Sequence, residues 1–260
     1  MDGSVSSLTA AREARLRRAA LKVVHAFLWP AMHVPLGPSP LGPPEGGIQN
    51  MVDRLVTEAV EHARTAAPEV EVSHAVVMGE PLTVLEAQSR AAELVVVGSR
   101  GMGGFVGLLV GTTAVHLAAH GRCPVLVVRQ EAHTDGPIVL GVDGSAAGAE
   151  AVDFAFAEAS LRKAPLVALH AWTTWDAPLP APQVASMPYA NPPGALDQEE
   201  ETLVSAALAG RQEQYPDVAV EHKVVHAQTR EALIEASRSQ ALLHHAHCPV
   251  AVVRGAGTQP

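Results

Sequence analysis

Short apolar runs and longer segments with helical periodicity alternate along the chain. Residues 21–27, 125–128 and 166–171 are mainly apolar and have the length of buried strands. Residues 49–66 and 146–162 carry apolar side chains at helical spacing. Strands that alternate with helices indicate parallel sheets with right-handed crossovers. The pattern predicts an α/β protein with two doubly wound parallel-sheet domains.

The remaining elements follow from the same reasoning. Strands are predicted at 70–78, 94–97, 136–142, 218–226 and 250–253, and helices at 4–18, 81–92, 196–214 and 229–247.

Self-comparison shows that the chain is a tandem repeat. Asp2-Gly3-Ser4 matches Asp143-Gly144-Ser145, and His25-Ala26 matches His170-Ala171. The repeat predicts two domains, at residues 1–133 and 134–260.

Each copy of the repeat lacks a part that the other has. The strand predicted at 136–142 leads into Asp143, whereas only Met1 precedes the matching Asp2. We therefore expect the first copy to lack strand 1, and we hypothesise that the true start lies upstream. Repeat mates are 148 residues apart at Ser89 but 125 apart at Cys123, so the second copy lacks 23 residues. They correspond to strand 4 and the loop after it.

A glycine-rich loop joins the strand at 94–97 to the next helix. Gly98, Gly101 and Gly111 are followed by Thr112 and Thr113. Glycines let a backbone approach a ligand closely, and free N–H groups at a helix start attract anions. The guanidinium of Arg100 adds a donor for the same oxygens. The loop therefore predicts phosphate binding.

This G-x2-G-x9-G-[ST] spacing, with its flanking VVVGSRG and CPVLVV, resembles the nucleotide loop of the universal stress protein family in its ATP-binding branch. The resemblance implies Rossmann-like, adenine nucleotide alpha hydrolase-like domains with sheet order 3-2-1-4-5 and ATP as the ligand, with or without Mg²⁺. It places Asp2 near the nucleoside, the Ala26 backbone on adenine and Gly98 at the ribose. The phosphates would be bound by Gly101, Gly111, Thr112 and Thr113.

The resemblance also implies an arrangement of the two copies. Family members commonly dimerise through their last strands, so the strands at 125–128 and 250–253 are expected to pair within one chain. The copies would form an intramolecular pseudo-dimer. A homodimer of two chains is also compatible with the resemblance. Such pairing would cover two exposed strand edges.

Two other readings of the loop stay open. Gly103, Gly107 and Gly111 are spaced four apart, as in helices that pair within membranes. However, strand-like runs flank the segment, which favours a position against a sheet. The loop could also pack tightly and bind nothing. His116 and His120 have a metal-ligand spacing but no apparent third ligand, so an ordinary helix face is favoured.

Composition narrows the function further. The net charge of −9 argues against coating nucleic acids or anionic membranes. The first residues show no apolar core of signal-peptide length, which predicts a cytoplasmic protein. No nucleophile has an evident partner. The sequence thus predicts a non-enzymatic, ATP-binding stress protein with a regulatory or protective role and one site in the first repeat. The alternatives are a slow ATPase, a nucleotidyl-transfer enzyme and a nucleotide-free scaffold.

Overall fold

The computed structural model describes residues 3–27, 48–98, 112–128, 136–173, 195–236 and 249–255. The chain divides into two compact units. The first consists of Met1–His133 and Leu243–Arg254, and the second of Thr134–Leu242 and Gly255–Pro260. Within the described ranges, no helix has both the length and the apolar character needed to cross a membrane.

The first unit alternates helices with strands. Its elements are α1 (Gly3–Arg17), β1 (Leu21–Phe27), α2 (Ile48–Ala66), β2 (Val72–Met78), α3 (Pro81–Ser89), β3 (Val95–Gly98), α4 (Thr112–His120), β4 (Val125–Val128) and β8 (Val250–Val252).

The strands of the first unit form two sheets. One sheet is the parallel pair β1–β2, and the other has the order β3–β4–β8. β3 and β4 are parallel, whereas β8 runs antiparallel to β4. In an order of 3-2-1-4-5, the break between β1 and β3 falls where strand 1 would lie. No described strand precedes α1, and the lack of strand 1 in the first copy stays a prediction from the repeat.

Helix α1 contacts elements of both sheets. It packs on α2 and also touches β1, β3 and β4. Ala11 is fully buried, and Ser7, Thr9 and Glu13 on the same helix are buried as well. The Glu13 carboxylate pairs with Arg17 one turn later. One face of α1, which includes polar side chains, is therefore buried against elements of both sheets.

Strand β8 covers the outer edge of β4. Val125 pairs with Val252 and Val127 with Val250, and all four residues of β4 are buried. The expected pairing of these two strands is therefore present in the structure. β8 ends the second sequence repeat but belongs to the first unit.

The second unit has a single parallel sheet of order β5–β6–β7. Phe156 and Leu166 are fully buried at its centre. Its elements are β5 (Ile138–Gly141), a 3-10 turn (Ala146–Gly148), α5 (Ala149–Arg162), β6 (Leu166–Trp172), α6 (Ala195–Leu208), α7 (Arg211–Gln214), β7 (Val220–His226) and α8 (Thr229–Ala236).

One predicted helix is interrupted. The sequence predicts a single helix over 196–214, but α6 ends at Leu208 and α7 begins at Arg211. Gly210 has φ +78°, a left-handed conformation that glycine adopts without strain. The single-helix prediction is wrong because this residue ends the helical path. The helix predicted at 229–247 is described only as far as Ala236.

Candidate nucleotide site

The strand and the helix that flank the glycine loop are where the sequence predicts them. Gly98 is the last residue of β3, and Thr112 is the first residue of α4. Thr112 is exposed and Thr113 is half-buried, so the start of the helix is open to solvent. The other predicted phosphate contacts, Arg100, Gly101 and Gly111, lie outside the described residues, as does Asp2.

Ala26 presents backbone groups that the β1–β2 ladder does not use. The Leu21 N–H donates to Glu71 O at 2.9 Å, and the Gly79 N–H donates to Phe27 O at 2.9 Å. In a parallel ladder only alternate residues bond to one neighbour. The N–H and C=O of Ala26 therefore point away from β2.

The same alternation applies to Gly98. The Val95 N–H donates to Pro124 O at 3.0 Å, so Val95 and Val97 bond to β4. Gly98 directs its backbone groups to the opposite side, where no described strand pairs with β3. The β1–β2 and β3–β4 ladders thus do not use the backbone groups of Ala26 and Gly98, and the roles assigned to these residues stay predictions.

Sequence analysis missed two polar contacts of α3, the cap by Glu80 and the contact between Glu86 and His116. Glu80 caps α3 by accepting from the Thr83 N–H at 2.9 Å, and this hydrogen bond lowers the pKa of Glu80. His116 Nε2 on α4 lies 3.5 Å from Glu86 Oε2 on α3. The position of Glu80 directly before Pro81 could have identified the cap, but nothing local links Glu86 to His116.

Among the described residues, no third metal ligand lies beside His116 and His120. Their rings are 4.5 Å apart between centroids. Across the part of the chain that the structure describes, no group of three or more His, Cys, Asp or Glu side chains is placed to hold a metal ion. The Glu86 carboxylate lies within ion-pair distance of His116.

In the second unit, the region that matches the proposed site is described together with its first strand, β5. Asp143 follows β5 and accepts a hydrogen bond from the Ser145 N–H at 2.9 Å. This bond lowers the pKa of Asp143, and the nearby His170 lowers it further. Gly144 has φ +71°, and a Cβ there would lie 2.7 Å from Leu203. The turn after β5 is therefore tightly packed against α6.

His170 ties β6 to its neighbours in this region. Its Nδ1 donates to Val142 O at 2.6 Å, and its Nε2 lies 2.8 Å from Glu200 Oε2. Both Glu200 and Leu203 belong to α6, so this helix covers the carboxyl ends of β5 and β6. Sequence analysis did not identify Glu200, because it sits in an acidic run, Glu199–Glu201, where no residue stands out.

Comparison with known proteins decides the family. The sequence profile of the universal stress protein family matches this chain twice, over residues 1–129 and 136–242. The chain belongs to the universal stress protein family. The two matches agree with the tandem repeat, and the resemblance drawn from the glycine loop is confirmed at the level of the family.

Curated family members are similar along most of the chain. Universal stress protein Rv2623 of Mycobacterium tuberculosis (strain ATCC 25618 / H37Rv) is 34% identical over 244 residues, which cover 90% of this chain and 78% of the relative. Universal stress protein Mb2019 of Mycobacterium bovis (strain ATCC BAA-935 / AF2122/97) is 33% identical over 258 residues, covering 86% and 76%.

A solved structure supports the fold. The crystal structure of a universal stress protein from Archaeoglobus fulgidus DSM 4304 covers 97% of this chain and 94% of its own, with a TM-score of 0.62 and 12% identity. At this identity the likeness concerns the fold alone. It agrees with the predicted tandem α/β architecture of the universal stress protein family.

Proposed function

We propose that this universal stress protein binds one adenine nucleotide, ATP, in its first repeat and uses the bound state in regulation or protection. The repeats at 1–133 and 134–260 are its proposed domains. The proposed contacts are Asp2, Ala26, Gly98, Arg100, Gly101, Gly111, Thr112 and Thr113. The cytoplasmic location stays a prediction from the sequence.

The strand, loop and helix of the first unit support this site. Gly98 at the end of β3 and Thr112 at the start of α4 bracket the glycine loop. Ligands of open α/β sheets bind at the carboxyl ends of strands, and phosphates bind at helix N-termini. The Ala26 backbone, which β2 leaves unbonded, supplies donors and acceptors that match an adenine edge. This combination carries the proposal.

The second unit supports a single site rather than two. Its sequence lacks the glycine loop, and α6 lies over its strand ends through Glu200 and Leu203. Leu203 of α6 packs against Gly144, the residue after Asp143. The proposed function therefore rests on the first repeat.

The site fits a triphosphate better than a protein-bound metal. Thr112 is exposed at the helix start, where N–H groups have no partner within the helix. Mg²⁺ is usually held by substrate phosphates and water with few protein ligands. We therefore propose that any Mg²⁺ enters with ATP and is held by its phosphates, while the protein supplies backbone donors.

Calorimetric titration of the full chain with Mg-ATP tests the site. Gly111→Asp places a carboxylate at the proposed phosphate position, and we expect binding to weaken by about 100-fold or more. Gly107→Asp adds the same charge within the loop but outside the G-x2-G-x9-G spacing, and is expected to weaken binding less. Thr113→Val should bind nearly as the wild type does, because the proposed contact uses its backbone N–H.

The same titration separates the alternatives. Absence of ATP binding to the folded protein would overturn the proposal and favour a nucleotide-free scaffold. Turnover of labelled ATP well above that of the Gly111→Asp variant would favour a slow ATPase or a nucleotidyl-transfer enzyme.

A further inference from the structure

The second turn of α4 carries a buried imidazole nitrogen that makes no hydrogen bond. Nε2 of His116 has no hydrogen-bonding partner, although Oε2 of Glu86 on α3 lies 3.5 Å away. Buried polar side-chain atoms are nearly always hydrogen-bonded, so such an exception calls for an explanation. A protonated ring carries an N–H on both nitrogens and would donate a charge-assisted hydrogen bond towards this carboxylate. The unpaired nitrogen therefore marks a position that can take up a proton.

The charged groups around His116 are suited to a single added proton. α4 packs against α3 and β4, and β4 contains only valine and leucine. From α3, Glu86 faces the ring and Arg90 approaches the same carboxylate at 4.0 Å. The pKa of Glu80 is lowered mainly by a backbone N–H of α3 and to a smaller extent by His116. His120 contacts the His116 ring, with centroids 4.5 Å apart. Two carboxylates thus accompany one guanidinium, and one proton on the two imidazole rings balances the charge.

His116 lies about one helical turn from the proposed phosphate contacts. It follows Thr112, the first residue of α4, by four positions, which corresponds to about 6 Å along a helix axis. Helical residues four apart lie on one face, and their side chains lean towards the N-terminus. The imidazole is therefore directed towards the end of α4 where Thr112 and Thr113 offer their N–H groups. A charge on this ring would act on a phosphate bound there.

We infer that nucleotide binding at the start of α4 is coupled to protonation of His116. This inference rests on the proposed function, because it concerns the charge that bound phosphates bring to the helix start. Negative phosphates favour the charged form of a nearby imidazole, and the coupling is reciprocal, so the protonated ring favours phosphate binding equally. The affinity for ATP therefore rises as the pH falls from about 8 to about 6, the range in which imidazole groups change charge.

The test is calorimetric titration of the full chain with Mg-ATP at pH 8 and pH 6 and constant ionic strength. His116→Gln keeps a polar side chain but removes the titrating group. Between the two pH values, the wild type should gain about three- to tenfold more affinity than this variant, as for two charges about 8 Å apart at a partly solvated site. The terminal phosphate of ATP also titrates in this range, but its contribution is common to both proteins and cancels in the ratio.

A matched control and a second readout accompany the affinities. His74 is an exposed histidine on β2, and His74→Gln should show the same pH dependence as the wild type. Titrations near pH 7 in buffers of different ionisation enthalpy measure the protons taken up on binding. The wild type and His74→Gln should take up more protons than His116→Gln, because bound phosphates draw a proton onto the His116 ring.

A substitution at Glu86 tests the partner of the ring. Glu86→Gln keeps the shape of the side chain and removes the negative charge that faces His116. Because an opposite charge favours the protonated form, the rise in ATP affinity should occur at lower pH in this variant than in the wild type. Glu61→Gln removes an exposed carboxylate from α2 and should leave the pH dependence unchanged.

The outcomes separate this inference from the proposed function. If the wild type and His116→Gln bind Mg-ATP with the same pH dependence, the coupling is overturned and the proposed function stands. A smaller gain towards pH 6 in the wild type than in the variant has the wrong sign and also overturns the coupling. Absence of binding to the folded wild type at both pH values overturns the proposed function together with the inference. Should His116→Gln fail to fold, the comparison of Glu86→Gln with Glu61→Gln decides in its place.

Discussion

His170 and Glu200 form a close hydrogen-bonded pair in the second unit, with Nε2 and Oε2 2.8 Å apart. The side chain of His170 is 10% exposed and that of Glu200 is 26% exposed. Because the Val142 carbonyl can only accept, Nδ1 of His170 donates to it, and Nε2 is left to pair with Glu200. The pair fixes α6 over the carboxyl ends of β5 and β6.

Removing this partner should destabilise the second unit. We expect Glu200→Ala to lower the free energy of unfolding by about 1.5–3 kcal/mol, the range for hydrogen bonds to charged groups. Urea unfolding followed by circular dichroism measures the loss. Glu199→Ala is the matched control, because Glu199 is exposed, and should change stability by about 0.5 kcal/mol or less. Equal effects of the two variants would contradict the structural role of the pair.

Gly210 separates α6 from α7 through its left-handed backbone. A Cβ at this position meets no atom within 4 Å, so the cost of a substitution comes from φ +78° alone. We expect Gly210→Ala to destabilise the protein by about 1–2 kcal/mol. Gly210→Asn should cost less, since asparagine tolerates this conformation better. If alanine stabilised the protein in thermal unfolding, the helix would be continuous as the sequence predicts.

Asp143 should make stability depend on acid pH. The Ser145 N–H lowers the pKa of the native carboxyl below its ordinary value of 3.8. The native state therefore favours the ionised form, and this stabilisation is complete above about pH 5 and is lost as the pH falls through 3.8 and then through the native value. Since Asp143 is exposed, the contribution should be below about 1 kcal/mol.

The variant Asp143→Asn checks this effect because it removes the titrating group and keeps an acceptor for Ser145. The difference in unfolding free energy between wild type and variant should be constant near neutral pH and shrink below about pH 4. A difference that grew towards acid pH would have the opposite sign and would exclude this origin.

The pairing of β8 with β4 can be tested with two neighbouring prolines. Val125 and Val127 direct their free backbone groups to β8, so Val252 and Val250 bond to them while Ala251 points outward. Val252→Pro should therefore speed hydrogen exchange at Val125 by about tenfold or more, and Ala251→Pro should have a much smaller effect. If the two prolines had equal effects, the register would be different.

The local sequence was sufficient to predict the bounds of strands β1 and β4. β4 has the predicted bounds because it is an unbroken apolar run, and β1 because it is a mainly apolar run with two adjacent valines. The break at Gly210 was missed because its neighbours all favour a helix, and one glycine within a helix is often tolerated. The lack of strand 1 in the first copy stays a prediction from the repeat, and the division of the described strands of the first unit into two sheets depends on long-range packing that the repeat does not encode.

The candidate site was predictable only in part. Gly98 and Thr112 lie at the predicted strand end and helix start because the loop motif is local. The assigned roles of Asp2, Arg100, Gly101 and Gly111 stay predictions. The His170–Glu200 pair joins residues 30 apart in the chain, and no periodicity or motif encodes a contact over that distance.

The position of β8 has a consequence for biosynthesis. Residues 250–252 complete a sheet whose other strands are translated more than 120 residues earlier. Until the ribosome releases this last stretch, the nascent first half carries an open valine edge that can join other chains. The first unit can therefore complete this sheet only after residues 250–252 have been made.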